Sequence, residues 1–158
     1  MLLIDVNNVY KIFERGGRDF TALNDVSFSV NSGDFINIIG KSGSGKSTLL
    51  TILSAIQEPS KGDVKVLERK ISEMTDDEKS NYRNEFVGYV PQSLGTLSTL
   101  NVIDNVRLPH FFVKRDGDGM KRAEELLDMC GILHLKDEFP RNLSGGEVKR
   151  VLIARALM

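Results

Sequence analysis

The chain has 158 residues, 41% hydrophobic and 27% charged, with 21 Lys and Arg against 22 Asp and Glu and a net charge of −1. This ordinary globular usage excludes a disordered or collagen-like chain and gives no charge-driven attraction to nucleic acid or an anionic membrane. Cys130, the single cysteine, forbids an intrachain disulfide and a thiolate-rich metal site and fits a reducing cytoplasm, while no apolar run approaches the roughly 20 residues of a membrane span and residues 1–6 lack the basic start of a signal peptide.

Residues 22–30 alternate, with Leu23, Val26, Phe28 and Val30 apolar, and predict a strand with one wet face. After the turn signal Asn31-Ser32-Gly33-Asp34, the run Phe35-Ile36-Asn37-Ile38-Ile39 predicts a mid-sheet strand buried on both faces, ending at Gly40. From Lys46 the apolar spacing of Leu49, Ile52, Leu53 and Ile56 predicts a helix that stops near Pro59. Residues 62–67 and 86–90 read as further strands. Between them Thr75-Asp76-Asp77-Glu78 is a capping box for a helix running to about Asn84.

Residues 97–142 carry no strand signal. A short helix is expected at 102–106 and a clearer one at 119–130, with Met120, Ala123, Leu127 and Cys130 inward and Lys121 paired with Glu125. Residues 151–158, Val-Leu-Ile-Ala-Arg-Ala-Leu-Met, form a helix apolar on nearly every side, which implies burial by neighbouring elements, and the chain reads as cut short there. The expected organisation is an α/β core over 1–92, a helical subdomain over 93–142, and a helix returning to the core over 143–158.

Gly40-Lys41-Ser42-Gly43-Ser44-Gly45-Lys46-Ser47, followed by Thr48, matches the phosphate-loop pattern G-x-x-x-x-G-K-[ST] between a predicted strand and a predicted helix. Glycines let the backbone wrap so that N–H groups converge on phosphate oxygens, and the helix offers the positive end of its dipole. Lys46 is placed to reach the β- and γ-phosphates of a nucleotide and Ser47 to ligate Mg2+.

A second motif, Leu143-Ser144-Gly145-Gly146-Glu147, follows, with Ser144 98 positions after Lys46. Locally it is a capping box, Ser144 at the N-cap and Glu147 at N3. With Val148-Lys149-Arg150 it resembles the LSGGQ-x-x-R signature of the ATP-binding cassette (ABC) ATPases. That resemblance implies a P-loop NTPase fold with an inserted helical subdomain and the C-terminal part of the core missing. Gln92, closing Phe86-Val87-Gly88-Tyr89-Val90-Pro91-Gln92, is similar to the family's Q-loop glutamine, which touches Mg2+ and relays contact with the membrane partner; residues 99–106 resemble the segment that follows it. In the family pattern Phe13 falls at the aromatic that stacks on adenine, with Tyr10 as the alternative. Residues 21–28 and Pro140 are similar to cassettes of lipoprotein-release and macrolide- or peptide-export permeases.

The sequence departs from the family at Lys41, often proline, and at Glu147, usually glutamine, whose carboxylate opposes bound nucleotide unless it turns back to cap its helix. By the resemblance, the Walker B aspartate, the catalytic glutamate and the switch histidine have no counterpart in these residues, and His110 and His134, both before the signature, do not replace them. The sheet is then expected to have unpaired edges, and the chain to bind nucleotide with little ATPase activity alone. The resemblance implies an ABC transporter ATP-binding subunit: ATP and Mg2+ as ligands, a second cassette pairing head-to-tail, a transmembrane permease as partner, and a place on the inner face of the cell membrane. A DNA-repair or ribosome-associated ABC ATPase fits less well, since the stretch between the motifs has no sustained heptads and a single cysteine; a natively short nucleotide-sensing module is the other alternative.

Overall fold

The computed structural model of the chain describes residues 1–92, 95–112, 117 and 119–158. They divide into two compact units, Met1–Glu85 and Phe86–Met158.

The first unit is built on a long hairpin. Strands β1 (Leu2–Arg15) and β2 (Arg18–Asn31) pair antiparallel across the turn at Gly16 and Gly17. Strands β3 (Lys61–Val66) and β4 (Arg69–Lys70) extend the sheet in the order β2-β1-β3-β4. The expected strand at 22–30 is thus part of a longer one. β1 was not legible as a continuous alternation because a bulge breaks its period. Asn8 takes φ +47, its N–H donates to Ser27 Oγ at 2.8 Å and its side-chain amide to Asp25 Oδ1 at 2.8 Å, so that Val6 and Val9, an odd number of residues apart, are both buried. Gly62 packs against this bulge: a Cβ there would stand 2.2 Å from Asn8 O.

Helix α1 (Lys46–Leu53) lies on the sheet through Leu49 and Ile52, which join Val6, Val9, Leu23, Val64, Val66, Ile71 and Met74 in the first core. The helix is shorter than its apolar spacing predicts. Ala55 turns left-handed at φ +52, the N–H groups of Ile56 and Gln57 close on Thr51 O at 3.0 and 3.2 Å, and Ile56 is left 54% exposed. Helix α2 (Asp76–Phe86) begins with the expected capping box: Thr75 N–H donates to Glu78 Oε2 at 2.9 Å and Glu78 N–H to Thr75 Oγ1 at 3.3 Å. Tyr82 and Arg83 of α2 donate to Leu53 O and Ala55 O, satisfying carbonyls at the end of α1.

The run 35–39 is not a strand in this structure. Phe35 is 94% and Ile39 83% exposed, and only Ile38 packs against the core. The physical reason is pairing: an extended segment becomes a strand only beside another, and the sheet β2-β1-β3-β4 does not include this run. The same correction applies at 86–90. Phe86 closes α2, and 87–90 forms no strand, with Tyr89 and Val90 exposed.

The second unit packs helices α3 (Val102–Phe112), α4 (Gly119–Met129) and α5 (Gly145–Ala156) around Val102, Val106, Ala123, Leu127, Val151 and Ala154. Among its described residues there is no strand. Helix α3 runs past the expected 102–106, carrying Pro109 inside it. On α4, Leu126 is buried while Met120 is 37% exposed, and Glu125 pairs with Arg122 at 3.5 Å rather than with Lys121. On α5 one face is buried, through Val148, Val151, Leu152 and Ala154; Ile153 and Leu157 are exposed, contrary to the expected burial on nearly every side.

Candidate nucleotide-binding site

The phosphate-loop residues all lie in the first unit. The backbone turns tightly at Gly40–Ser44, where Ser44 N–H donates to Lys41 O at 3.2 Å, and enters α1 at Gly45. Gly45 has φ +87, and a Cβ on it would stand 2.2 Å from Ala22 O of β2. No other residue fits there. The Lys46 ammonium donates to Gly40 O at 2.9 Å and Lys41 O at 2.7 Å, with Ser44 Oγ at 3.4 Å. Position 41 therefore contributes its carbonyl, which proline also has, while the Lys41 side chain is exposed.

The start of α1 differs from the starts of α2 and α5. Those two are closed by Thr75 with Glu78 and by Ser144 with Glu147. At α1 the N-cap Gly45 supplies no side-chain bond, and no acidic residue occupies the first turn. The positive end of this helix is left for an external anion, with the Lys46 ammonium and the exposed Ser47 hydroxyl beside it. This donor set fits a polyphosphate and its divalent cation.

Phe13 is half-buried on β1 opposite Phe20 of β2, with the Lys11 ammonium 5.2 Å from its ring centroid. Tyr10 instead pairs towards β3, opposite Lys61.

Gln92 and the signature lie in the second unit. Gln92 is exposed in an irregular stretch. The following segment is fixed by two side chains. Arg155 of α5 donates to Gly95 O at 2.7 Å. The fully buried Asn105 accepts from Leu97 N–H at 2.7 Å and shares its amide hydrogens among Leu97 O, Leu100 O and Asn101 O. Neither residue was marked by the sequence, because each acts on backbone brought to it by the fold.

Ser144 is the N-cap of α5, with Leu143 before it half-buried against the second core. Glu147 does turn back: its Oε2 accepts from Ser144 N–H at 2.7 Å and from Ser144 Oγ at 2.8 Å, and Glu147 N–H donates to Ser144 Oγ at 3.3 Å. These donations from Ser144 hold the Glu147 carboxyl below its ordinary range. Arg150 donates to Cys130 O at 2.8 Å, closing the end of α4. Gly145 and Gly146 are different in kind from Gly45. A Cβ on either would meet nothing within 4 Å, so no packing among the described residues asks for glycine at positions where it weakens a helix.

His110 packs on Gly119 and His134 sits near Glu147. Among the described residues no group of three or more His, Cys, Asp or Glu could hold a metal, and no helix is long and apolar enough to cross a membrane.

Residues 23–158 match the ABC transporter family model. The chain is 38% identical over 156 residues to the macrolide export ATP-binding/permease protein MacB of Chlorobium phaeobacteroides, covering 99% of this chain and 24% of that protein. It is also 38% identical over 156 residues to the uncharacterised ABC transporter ATP-binding protein MJ1508 of Methanocaldococcus jannaschii, covering 98% of this chain and 70% of that one. Among solved structures, a dimeric post-hydrolysis state of the ATP-binding cassette MJ0796 bound to ADP and Pi matches with TM-score 0.92 at 34% identity, covering 98% of this chain and 69% of that chain. The chain thus spans about a quarter of the length of the macrolide exporter. From the phosphate loop, the signature helix and these matches, the chain belongs to the ATP-binding domains of ABC transporters, close to the macrolide-export cassettes.

Proposed function

We propose that the chain is the nucleotide-binding part of an ABC transporter, binding Mg-ATP and coupling head-to-tail pairing of two cassettes, and hydrolysis by the complete cassette, to transport by a membrane permease. The observation that carries this reading is the start of α1: a helix end with no side-chain cap, preceded by a glycine loop whose carbonyls hold the Lys46 ammonium.

In this reading Gly40, Lys41, Ser42, Gly43, Ser44 and Gly45 wrap the phosphates with backbone N–H groups, Lys46 exchanges its loop carbonyls for phosphate oxygens, and Thr48 completes the first helical turn. Phe13 stacks on the base. Ser47 ligates Mg2+, which supplies charge neutralisation on the phosphates when bound, and Gln92 is the counterpart of the family's Q-loop glutamine. Leu143, Ser144, Gly145, Gly146 and Glu147 face the nucleotide of the second cassette. The open space over Gly145 and Gly146 supports that role, since a phosphate can approach the helix end only where no side chain intervenes. The Ser144 hydroxyl, spent on Glu147 in this structure, is the donor that can be redirected. The resemblance assigns no residue of these 158 as general base, so turnover by this chain alone stays at background. The macrolide exporter it resembles suggests a permease of the export type as partner, on the inner face of the membrane.

Sedimentation velocity with and without Mg-ATP tests the pairing. Mg-ATP is expected to shift the chain to a dimer, and Lys46→Ala to abolish the shift. A chain that binds Mg-ATP yet remains monomeric contradicts the role given to the signature.

A further inference from the structure

Lys11 stands two residues before Phe13 on β1, and its ammonium lies 5.2 Å from the Phe13 ring centroid. The same ammonium donates to Glu58 O at 2.8 Å. Its hydrogen-bond partner is thus a neutral carbonyl rather than a carboxylate, so the full positive charge bears on the ring. The anchor is itself fixed. Ser60 N–H donates to Tyr10 O at 2.7 Å and Ile12 N–H to Ser60 Oγ at 3.0 Å, locking the 58–60 turn to β1. The Glu58 carboxylate is paired with Lys79 of α2. On its other edge β1 is held by β2, with Phe13 opposite Phe20.

An aromatic ring has two faces, and a cation over one of them draws π-density towards itself. The far face then presents a less repulsive surface to an electron-rich heterocycle, and the ring cannot turn without losing the cation. Resting on the nucleotide-binding reading above, we propose that Lys11 is a positioning residue for the base: tethered to Glu58, its ammonium covers one face of Phe13 and reserves the other as the platform for a purine. It acts on the base through Phe13 and not on the phosphates.

Calorimetry of the full chain with Mg-ATP and with Mg-tripolyphosphate separates these two actions, because tripolyphosphate has the charge without the base. Lys11→Met, which keeps the aliphatic stem, is expected to weaken Mg-ATP by roughly two- to fivefold, the range of an exposed cation–π contact, and to leave tripolyphosphate unchanged. Lys11→Arg retains the wild-type affinity. In a Phe13→Leu background Lys11→Met has no further effect. An equal loss for both ligands, an unchanged Mg-ATP affinity, or a loss that persists without Phe13 overturns the proposal. If the wild-type chain binds neither ligand, the nucleotide reading falls and this one with it. If it binds both and Phe13→Leu leaves Mg-ATP affinity intact, only the base platform falls.

Discussion

Replacing Gly146 by alanine separates what the signature glycines do for this chain from what they do for a partner. Gly146 lies in the first turn of α5, a Cβ there would meet nothing within 4 Å, and its φ is not in the left-handed region. No strain or clash opposes the substitution. What remains is the difference in helix propensity and unfolded-chain entropy, about 0.5–1 kcal/mol in favour of alanine. For a chain of this size 1 kcal/mol corresponds to about 2–4 °C in melting temperature, so Gly146→Ala is expected to raise the thermal midpoint by about 1–4 °C, read by circular dichroism. At the same time the new methyl occupies the space over the helix end, and Mg-ATP-dependent pairing in sedimentation is expected to weaken. A lowered midpoint would show that the glycine satisfies a constraint inside the chain, and the argument for an approach by a partner would fail.

Two further predictions concern the supports of the site. Asn105→Leu removes the acceptor for Leu97 N–H and the donors for three carbonyls; leaving such groups unsatisfied costs about 1–3 kcal/mol, and urea denaturation should show a loss of at least that size, whereas an unchanged midpoint would mean water replaces the side chain freely. Glu78 is held at about 2 against an ordinary 4.5, first by Arg69 and then by the Thr75 N–H. A depressed carboxyl stabilises the fold above its ordinary value and loses that contribution as pH falls from about 4.5 through about 2. The acid branch of the melting profile should therefore flatten in Glu78→Gln, and identical acid branches would remove Glu78 from the account.

What the sequence disclosed was the local chemistry. The capping boxes at Thr75 and Ser144 formed as their spacing required, because each joins groups three residues apart. The phosphate loop could be read for the same reason: its glycines and Lys46 act on one another within a single turn of chain. What depends on distant partners was less legible. Strand β1 was hidden because Asn8, bulged against Ser27 and Asp25, breaks the alternation. The apolar run 35–39 had the composition of a buried strand, yet composition states a need for neighbours and does not supply them, and Phe35 and Ile39 are exposed. The helix expected at 102–106 runs on through Pro109 to Phe112. Asn105 and Arg155, which hold the stretch after Gln92, act on backbone that only the fold brings to them.

The central claim is that the uncapped start of α1 and the Lys46 ammonium form a phosphate site. Isothermal calorimetry of the folded chain with Mg-ATP, beside Lys46→Ala, tests it most directly. The account predicts saturable binding by the wild-type chain and its loss in the variant with the thermal transition unchanged. A cooperatively folded wild-type chain that takes up no nucleotide, or a variant that binds it equally well, would contradict it.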